Sequence, residues 1–385
     1  MTKPLTSVGI VSGVLHPKYG GPVSVIQAHH QGLSSALKVK IFGVADQGDE
    51  HEILRAFPGA ALHQRAWPNF WFRGAGLSKS LLDASGDFDL LHAHMFWDHT
   101  VYATWKASKA SGCPFVVTPH GSLVPSPIRY KGLDKKIYKN LILDQVLSDA
   151  ACVHVLNDVE KLACEEYGIK CPIQVIPNGL PAYQFDNVTT SDLALNAWPI
   201  LRNRRVLLYM GRLWSGKGLD ILPAALAKID FLRQFPDWIL VLAGPDYRGY
   251  KSILIKKIYE LGLSDSVLFT GHVSGDLKSS LLATCDFFIL PSHAEGFSMA
   301  LLEAAASARP ALISPECNMP DLAEIGGAWV APSDPEHLAE ILRDLFIKSR
   351  EFFDIAGKKA WQFTRQKYTL ESVIESLKIL YNSIK

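Results

Sequence analysis

The sequence lacks the features that mark several classes of protein. It has no apolar run long enough to span a membrane, and residues 1–7 show no basic segment followed by the apolar segment of a signal peptide. Its six cysteines are scattered, without a C-x-x-C pair or histidines at zinc-ligand spacing, which is typical of reduced thiols. A formal net charge of +1 gives no overall attraction to nucleic acid. We therefore expect a cytoplasmic protein that binds no nucleic acid and at most lies peripherally at the inner face of the cell membrane.

The length and composition indicate two globular domains. The chain has 385 residues, of which 48% are hydrophobic and 20% charged. Short β-type runs alternate with helical patterns before residue 177 and again after residue 199, which is typical of parallel sheets covered by helices. We predict an α/β protein with two Rossmann-like, doubly wound parallel-sheet domains. Ligands of such sheets bind beyond the carboxyl ends of the strands, so the loops there are where chemistry is expected.

A glycine-rich loop with two cations follows the strand predicted at 206–210. It reads Gly-Arg-Leu-Trp-Ser-Gly-Lys-Gly over 211–218, and it contains Arg212 and Lys217. Arginine can bind two phosphate oxygens at once, while lysine acts as a mobile point charge. The spacing is not that of a Walker A loop. Taken alone, the loop fits a phosphate site and a solvated basic turn equally well.

A second motif follows the strand predicted to end at Leu290. Its loop contains Glu295 and Gly296 and opens onto a helix rich in Ala, Leu and Met, on which Glu303 lies. The free amides at a helix start bind anions, aided by a dipole of about half a positive charge. Two carboxylates beside a diphosphate would repel it unless they bound neutral hydroxyls. We therefore expect a ligand with sugars at both ends of a diphosphate.

Together these motifs resemble those of the retaining glycosyltransferases of family 4, which have the GT-B fold, and the resemblance runs through nearly the whole chain. It implies that Arg212 and Lys217 hold the nucleotide diphosphate, that Glu295 contacts the donor sugar and that Glu303 binds the ribose. It also implies that backbone groups of a further set of residues line the nucleotide-sugar site: His272, Val273, Gly296, Phe297 and Ser298.

The resemblance extends to the first half of the chain. Gly20 and Gly21 form a turn after the first strand, and His94, His120 and Asn178 follow later strands. The turn is equally typical of an ordinary strand–helix connection, and histidines at such places are often structural. For His120, its place at a strand end and the family pattern favour a contact with the donor sugar. The resemblance thus assigns His94, Asn178 and the two glycines to nucleotide-sugar binding, and His120, Glu295, Lys217 and Arg212 to catalysis.

The GT-B resemblance also predicts the domain organisation. We expect an acceptor-side domain over 1–185, a donor domain over 186–365, and a cleft between them. The segment 177–199 has little periodicity and is interpreted as the linker. The last segment, 366–385, is strongly periodic and is expected to form a helix that packs back on the first domain.

No metal or cofactor is expected. Asp87-Phe88-Asp89 spells the metal-binding signature of a different glycosyltransferase fold, but it precedes a strand, at the wrong end for a ligand. We expect the two cations and the helix start to stabilise the leaving diphosphate instead.

The acceptor is the least determined part of the prediction. Four aromatic residues fall within 66–73, and a basic, aromatic-bearing segment covers 129–139. Such composition suits an anionic membrane or a lipid diphosphate headgroup, and equally an ordinary solvated helix face.

The sequence therefore predicts a metal-independent retaining hexosyltransferase. The donor is expected to be a UDP-sugar, and the acceptor a saccharide, lipid-linked, in envelope or extracellular polysaccharide biosynthesis. The alternatives are a sugar-nucleotide epimerase of similar fold and a non-catalytic sugar-nucleotide-binding protein. A dinucleotide oxidoreductase is disfavoured because no G-x-G-x-x-G follows the first strand.

Overall fold

The computed structural model describes residues 4–124, 138, 142–186 and 189–384. The described residues form two compact units, each with its own sheet and core. The N-terminal unit contains the described residues up to Gly179 and those from Leu370 onwards, and the C-terminal unit spans Leu180–Thr369. The chain thus divides after residues 179 and 369, against predicted divisions after 185 and 365.

The N-terminal unit is built on a parallel sheet of seven strands in the order β3-β2-β1-β4-β5-β6-β7. The strands are β1 Ser7–Ser12, β2 Lys38–Ala45, β3 Ala61–Gln64, β4 Leu90–His94, β5 Phe115–Thr118, β6 Cys152–Val155 and β7 Ile173–Val175. The described helices up to Gly179 are α1 Gly21–Ser34, α2 Glu50–Ala56, α3 Leu77–Ala84, α4 His99–Ser111, α5 Asp144–Asp149 and α6 Asp158–Tyr167. Consecutive strand residues face opposite sides of the sheet. Ile10 accordingly joins one apolar core and Val11 the other.

The C-terminal unit is built on a parallel sheet of six strands in the order β10-β9-β8-β11-β12-β13. The strands are β8 Arg205–Met210, β9 Trp238–Ala243, β10 Val267–Gly271, β11 Phe287–Leu290, β12 Ala311–Ile313 and β13 Ala328–Val330. Its described helices are α7 Tyr183–Asp186, α8 Asp192–Ala197, α9 Ile221–Lys228, α10 Phe231–Gln234, α11 Tyr250–Glu260, α12 Gly275–Thr284, α13 Met299–Ala306, α14 Pro320–Glu324, α15 Pro335–Phe346 and α16 Arg350–Lys367. The central strands are apolar and buried along their length because helices cover both faces of the sheet. The predicted fold class of two Rossmann-like parallel-sheet domains is confirmed.

The last helix, α17 Leu370–Ile384, belongs to the N-terminal unit, as the sequence predicted. Its apolar face joins the core that contains Ile10 and the inner residues of α1. A Cβ on Gly32 of α1 would lie 2.4 Å from Ile374, so glycine permits this close helix contact. Burying each large apolar side chain of this face contributes about 1.5–3 kcal/mol.

The segment predicted as an irregular linker is partly helical. Helices α7 and α8 lie within 177–199. Ala194 of α8 is fully buried, and its amide donates to Ser280 Oγ at 3.0 Å. These helices are too short and too polar to show a helical period, yet α8 packs on the C-terminal unit.

Candidate functional site

The loops that follow β8 and β11 meet at the carboxyl edge of the C-terminal sheet. Parallel neighbours in a sheet place their following loops on the same edge, and β8 pairs with β11. Gly218 has a φ of +65°, and a Cβ there would lie 1.8 Å from the carbonyl oxygen of Pro291. Only glycine therefore allows these two loops to approach so closely.

Lys217 and Glu295 form an ion pair across these loops. Lys217 Nζ lies 2.5 Å from Glu295 Oε1, with the side chains 19% and 8% exposed. Ser292 Oγ donates to the same oxygen at 2.6 Å, and Asn318 Nδ2 donates to the Glu295 carbonyl at 2.6 Å. An ammonium has three donors, so Lys217 can hold this carboxylate and an anionic ligand at the same time.

Arg212 lies on the same loop as Lys217 and is partly exposed. Its guanidinium carbon is 5.4 Å from the ring centroid of Tyr247, within cation–π range. Its carbonyl accepts the Tyr209 hydroxyl at 2.8 Å. The loop therefore has a fixed backbone and a cation that remains accessible to a ligand.

Helix α13 begins directly after Glu295-Gly296-Phe297-Ser298. Ser298 is the N-cap, and its hydroxyl accepts the amide of Leu301 at 3.3 Å. Phe297 packs edge-on against Tyr368 at 5.7 Å between ring centroids. The helix start, with its partial positive charge, follows Glu295 of the ion pair within a few residues.

Glu303 on α13 has a partner that the sequence did not predict. Lys278 Nζ lies 2.7 Å from Glu303 Oε1, with the side chains 27% and 16% exposed. Lys278 belongs to α12, which starts just after His272 and Val273, an exposed and a buried residue respectively. The segment 272–273, which is expected to line the nucleotide-sugar site, therefore lies just before the helix whose Lys278 pairs with Glu303.

In the N-terminal unit, buried polar side chains form a continuous hydrogen-bonded chain at the ends of β4, β5 and β6. The His92 nitrogens bond Tyr381 Oη at 2.6 Å and Thr118 Oγ1 at 2.7 Å. Thr118 Oγ1 also bonds His154 Nδ1 at 2.9 Å, and His154 Nε2 bonds the carbonyl of Ile176 at 2.8 Å. Burial lowers the pKa of His154 to about 4 and that of His92 well below its usual range, so both rings are neutral at pH 7.

Neutrality fixes every donor in this chain. A carbonyl only accepts, so His154 carries its proton on Nε2 and its Nδ1 accepts the Thr118 hydroxyl. That hydroxyl has a single proton, so His92 must donate to it from Nε2. His92 Nδ1 is then bare and accepts the hydroxyl of Tyr381. The hydrogen bonds of this network therefore all donate in one direction, from Tyr381 on α17 to the carbonyl of Ile176, shortly before Asn178.

A second pair lies beside this chain. His94 Nδ1 bonds His120 Nε2 at 2.8 Å, and the two rings stack at 5.1 Å with 26° between their planes. His120 is partly exposed, whereas His94 is fully buried. The ring of His94 has no exposed atom in this structure, and its assignment to nucleotide-sugar binding stays a prediction. Five histidines cluster here, at positions 29, 92, 94, 120 and 154. Among the described residues no three His, Cys, Asp or Glu side chains are arranged to hold a metal ion.

Glu160 anchors the loop that carries His120, and sequence reasoning missed it. Glu160 is fully buried, and its carboxylate accepts the amides of Gly121 and Leu156, the latter at 2.8 Å. Burial raises the pKa of this carboxyl, and the two amides oppose that effect. The available signal was the pattern Asn157-x-x-Glu160, an N-cap with a glutamate in the first helical turn.

The other predicted residues of this unit are also described. Gly20 has a φ of +71° and caps α1, which begins at Gly21, and Asn178 is buried with 2% exposure. Asp89 accepts the amides of Thr6 and Ser7 at 2.7 and 3.1 Å. The Asp87–Asp89 motif is therefore part of the strand entry.

The aromatic segment 66–73 divides into exposed and packed side chains. Trp67 and Phe70 are 81% and 77% exposed, whereas Trp71 packs against His99 and Tyr138 at 5.2 and 5.6 Å. The basic segment predicted over 129–139 lies outside the described residues, apart from Tyr138. Within the described ranges, no helix is both long and apolar enough to cross a bilayer.

Two family matches cover most of the chain. Residues 193–361 match Glycosyl transferases group 1, and residues 19–182 match Glycosyltransferase Family 4. An uncharacterized glycosyltransferase of Methanocaldococcus jannaschii is 25% identical over 382 residues, covering 92% of this chain and 94% of the relative.

Two further relatives are named for lipid-linked acceptors. The GDP-mannose:cellobiosyl-diphosphopolyprenol alpha-mannosyltransferase of Xanthomonas oryzae is 28% identical over 246 residues, covering 61% of this chain and 59% of the relative. The UDP-Gal:alpha-D-GlcNAc-diphosphoundecaprenol alpha-1,3-galactosyltransferase of Escherichia coli is 28% identical over 232 residues, covering 59% and 58%.

The fold is shared with solved structures. HepE from Anabaena, in complex with UDP and glucose, matches with a TM-score of 0.81 at 19% identity, covering 98% of this chain and 100% of that one. Sucrose-phosphate synthase from Thermosynechococcus elongatus matches with a TM-score of 0.81 at 18% identity, covering 98% and 99%.

Proposed function

Because the chain belongs to the GT-B glycosyltransferases of the family 4 type, we propose that it moves a hexosyl unit from a UDP-sugar to a lipid-linked saccharide with retention of configuration. The observation that carries this proposal is the Lys217–Glu295 ion pair, which lies at the carboxyl edge of the C-terminal sheet and directly before the start of α13.

In this proposal the diphosphate lies between the start of α13 and the cations of Arg212 and Lys217. Lys217 binds a phosphate oxygen with the donors that Glu295 leaves available. Glu295, held by Lys217 and by Ser292, accepts hydrogen bonds from hydroxyls of the donor sugar. Each carboxylate beside the anionic ligand is therefore paired with a lysine, which reduces its repulsion of the phosphates.

The nucleoside lies towards α12. Glu303 accepts hydrogen bonds from the ribose hydroxyls, and Lys278 fixes the orientation of the Glu303 carboxylate. Backbone groups of His272 and Val273 contact the base. Amides of Gly296, Phe297 and Ser298 complete the cradle of the phosphates and sugar.

The reaction we propose takes place on one face of the sugar. The bond from the anomeric carbon to the diphosphate breaks, the acceptor hydroxyl oxygen bonds to that carbon on the same face, and the acceptor proton passes to the departing diphosphate. The leaving group gains negative charge as its bond breaks. Arg212, Lys217 and the helix start stabilise that charge without a metal ion, a contribution that is commonly the largest in such catalysis.

Turnover of the variants tests the donor site. Lys217→Ala and Glu295→Ala are each expected to lower transfer by at least about 100-fold, since each removes a group that acts on the reacting diphosphate or sugar. Lys256→Ala on the exposed face of α11 is the matched control. Near-normal turnover in both site variants would refute the assigned site. Release of free nucleoside diphosphate distinguishes transfer from epimerisation, which would yield a new sugar nucleotide instead.

Donor identity can be read from thermal stability. A ligand that binds only the folded protein stabilises it by about 2.7 kcal/mol at a concentration ~100 times its Kd. We expect UDP-sugars, rather than GDP- or ADP-sugars, to raise the melting temperature of the wild type, and Lys217→Ala to abolish the rise. The relatives named above use UDP-galactose and GDP-mannose, so a rise with the GDP-sugar alone would replace UDP in this proposal.

The lipid-linked acceptor is supported by the two relatives with polyprenol-linked acceptors and by the exposed Trp67 and Phe70. Aromatic side chains at such exposure suit the interface of a membrane, where an amphipathic ring is favoured. We propose peripheral contact with an anionic leaflet, in envelope or extracellular polysaccharide biosynthesis. Flotation with anionic vesicles tests the contact, and no binding at low salt would refute it.

A further inference from the structure

The ring of His120 is held by a second histidine. His94 ends β4, and β4 pairs with β5 such that His94 lies opposite Thr118, two residues before His120. The bond between His94 Nδ1 and His120 Nε2, at 2.8 Å, uses one of the two nitrogens of His120. Nδ1 is then the only ring nitrogen that His120 can offer to a ligand.

The ring of His94 is held in place by the ring of His92. Its ring stacks on His92 with 4.3 Å between centroids and 28° between planes. Both nitrogens of His92 are bonded, one to Tyr381 and the other to Thr118. The hydrogen-bonded chain from α17 therefore immobilises the ring against which His94 rests, and His94 has no exposed surface through which to move.

The backbone at His120 is also constrained. His120 has a φ of +52°, in the left-handed region that glycine favours and that histidine enters more often than most other residues. The neighbouring amide of Gly121 donates to the buried carboxylate of Glu160. Strained backbone persists only where surrounding contacts hold it, and it concentrates at functional sites. Backbone and ring of His120 are thus held by two independent sets of contacts.

We propose that His94 is a positioning residue: by binding Nε2 of His120 it aims Nδ1 of that ring at the donor sugar. This proposal rests on the proposed function and on the contact between His120 and the donor sugar that the family resemblance implies. The clustered neighbours also serve it electrostatically, because burial and the nearby His154 lower the pKa of His120 to about 3. A neutral ring can offer one nitrogen to a sugar hydroxyl without adding a positive charge.

Two substitutions of His94 separate positioning from packing. The amide of asparagine falls near the place of Nδ1 and that of glutamine near the place of Nε2, so only His94→Asn retains a bond to His120. We expect His94→Gln to lower kcat by about 10- to 100-fold with less than about a threefold change in KM for the donor, since small misplacements of a reacting group have effects of that size. His94→Asn should recover kcat to within about fivefold of the wild type.

A double variant and a neighbouring control complete the kinetic test. If His94 acts through His120, then His94→Gln should have no further effect in the His120→Ala background. His29, whose ring centroid lies 6.0 Å from that of His94, is the matched control, and His29→Gln should leave kcat within about twofold. Equal losses from His29→Gln and His94→Gln, or a full further loss in the double variant, would overturn the proposal.

Nitrogen-15 NMR of histidine-labelled protein provides a readout that does not depend on transfer activity. In the wild type we expect His120 to show a single neutral tautomer, and in His94→Gln a mixture of the two. An unchanged tautomer would overturn the proposal even if kcat fell. If no sugar nucleotide were turned over by the wild type, the proposed function would fail, and the tautomer comparison would still decide whether His94 positions His120.

Discussion

The buried histidine cluster predicts that the N-terminal unit loses stability in mild acid. His154 is fully buried, and its pKa is about 4 in the fold against about 6.5 when unfolded. Above pH 6.5 both states are neutral and no pH dependence arises. As the pH falls, the unfolded chain binds a proton first and is favoured until the pH reaches the folded pKa.

The magnitude of this effect is large for one residue. Between pH 7.5 and 5, a single imidazole with these two pKa values reduces the free energy of unfolding by about 2 kcal/mol. His29, His92, His94 and His120 have their pKa lowered in the same direction, chiefly by burial, so their effects add to the loss. Asp98 of the same unit has its pKa raised to about 6 by burial, a shift of the opposite sign, so the net loss is smaller than the sum over the histidines.

The test is urea unfolding at pH 7.5, 6.0 and 5.0, monitored by hydrogen-exchange mass spectrometry. With correction for intrinsic exchange rates, this measures the unfolding midpoint of each unit separately. The C-terminal unit is the internal control. Its exposed His337 has a pKa raised by Asp334, a shift of the opposite sign. Peptides of the N-terminal unit should lose protection at lower urea as the pH falls, well before peptides of the C-terminal unit. Equal midpoints for the N-terminal unit at pH 7.5 and 5.0 would refute the assignment of buried neutral histidines.

Three further predictions concern one hydrogen bond, one close loop contact and one pair of exposed aromatic side chains. Tyr381→Phe leaves a buried bare imidazole nitrogen and should cost about 1–3 kcal/mol in urea unfolding at pH 7.5, whereas Tyr259→Phe, at a residue 75% exposed, should be neutral. Gly218→Ala places a Cβ 1.8 Å from a carbonyl oxygen at a φ of +65°, so we expect a loss of at least about 2 kcal/mol and weaker nucleotide binding by calorimetry; unchanged affinity would contradict the close loop contact. Replacing Trp67 and Phe70 together by serine should reduce flotation with anionic vesicles at least tenfold without lowering the melting temperature, and undiminished flotation would remove these rings from the membrane contact.

The fold, and the two loops that we propose bind the nucleotide sugar, could be located from the sequence because their signals are local. Apolar strand runs, a glycine loop with Arg212 and Lys217, and a glutamate before an apolar helix each occupy a few consecutive residues. The chemistry of such a segment follows from its own residue types. Gly218 could be placed in a glycine-rich loop for the same reason. Its contact with the loop after β11 could not be predicted, because that loop lies far away in the sequence.

The partners of these residues were not predictable from one sequence. Lys278 lies 25 residues before Glu303 and Tyr381 lies 289 residues after His92, and no spacing rule joins residues so far apart. His94 was assigned to ligand contact because it ends a strand, but whether a strand-end side chain is exposed depends on the loops that cover it. The helices within 177–199 were missed because their stability comes from packing, as at Ala194, rather than from a periodic pattern.

The most direct test of the account is a crystal structure of the protein with a bound nucleotide sugar. We predict that phosphate oxygens lie within hydrogen-bonding distance of Arg212, Lys217 and the amides at the start of α13, with Glu295 on the sugar hydroxyls and Glu303 on the ribose. Phosphates bound elsewhere, with the Lys217–Glu295 pair untouched by the ligand, would contradict it.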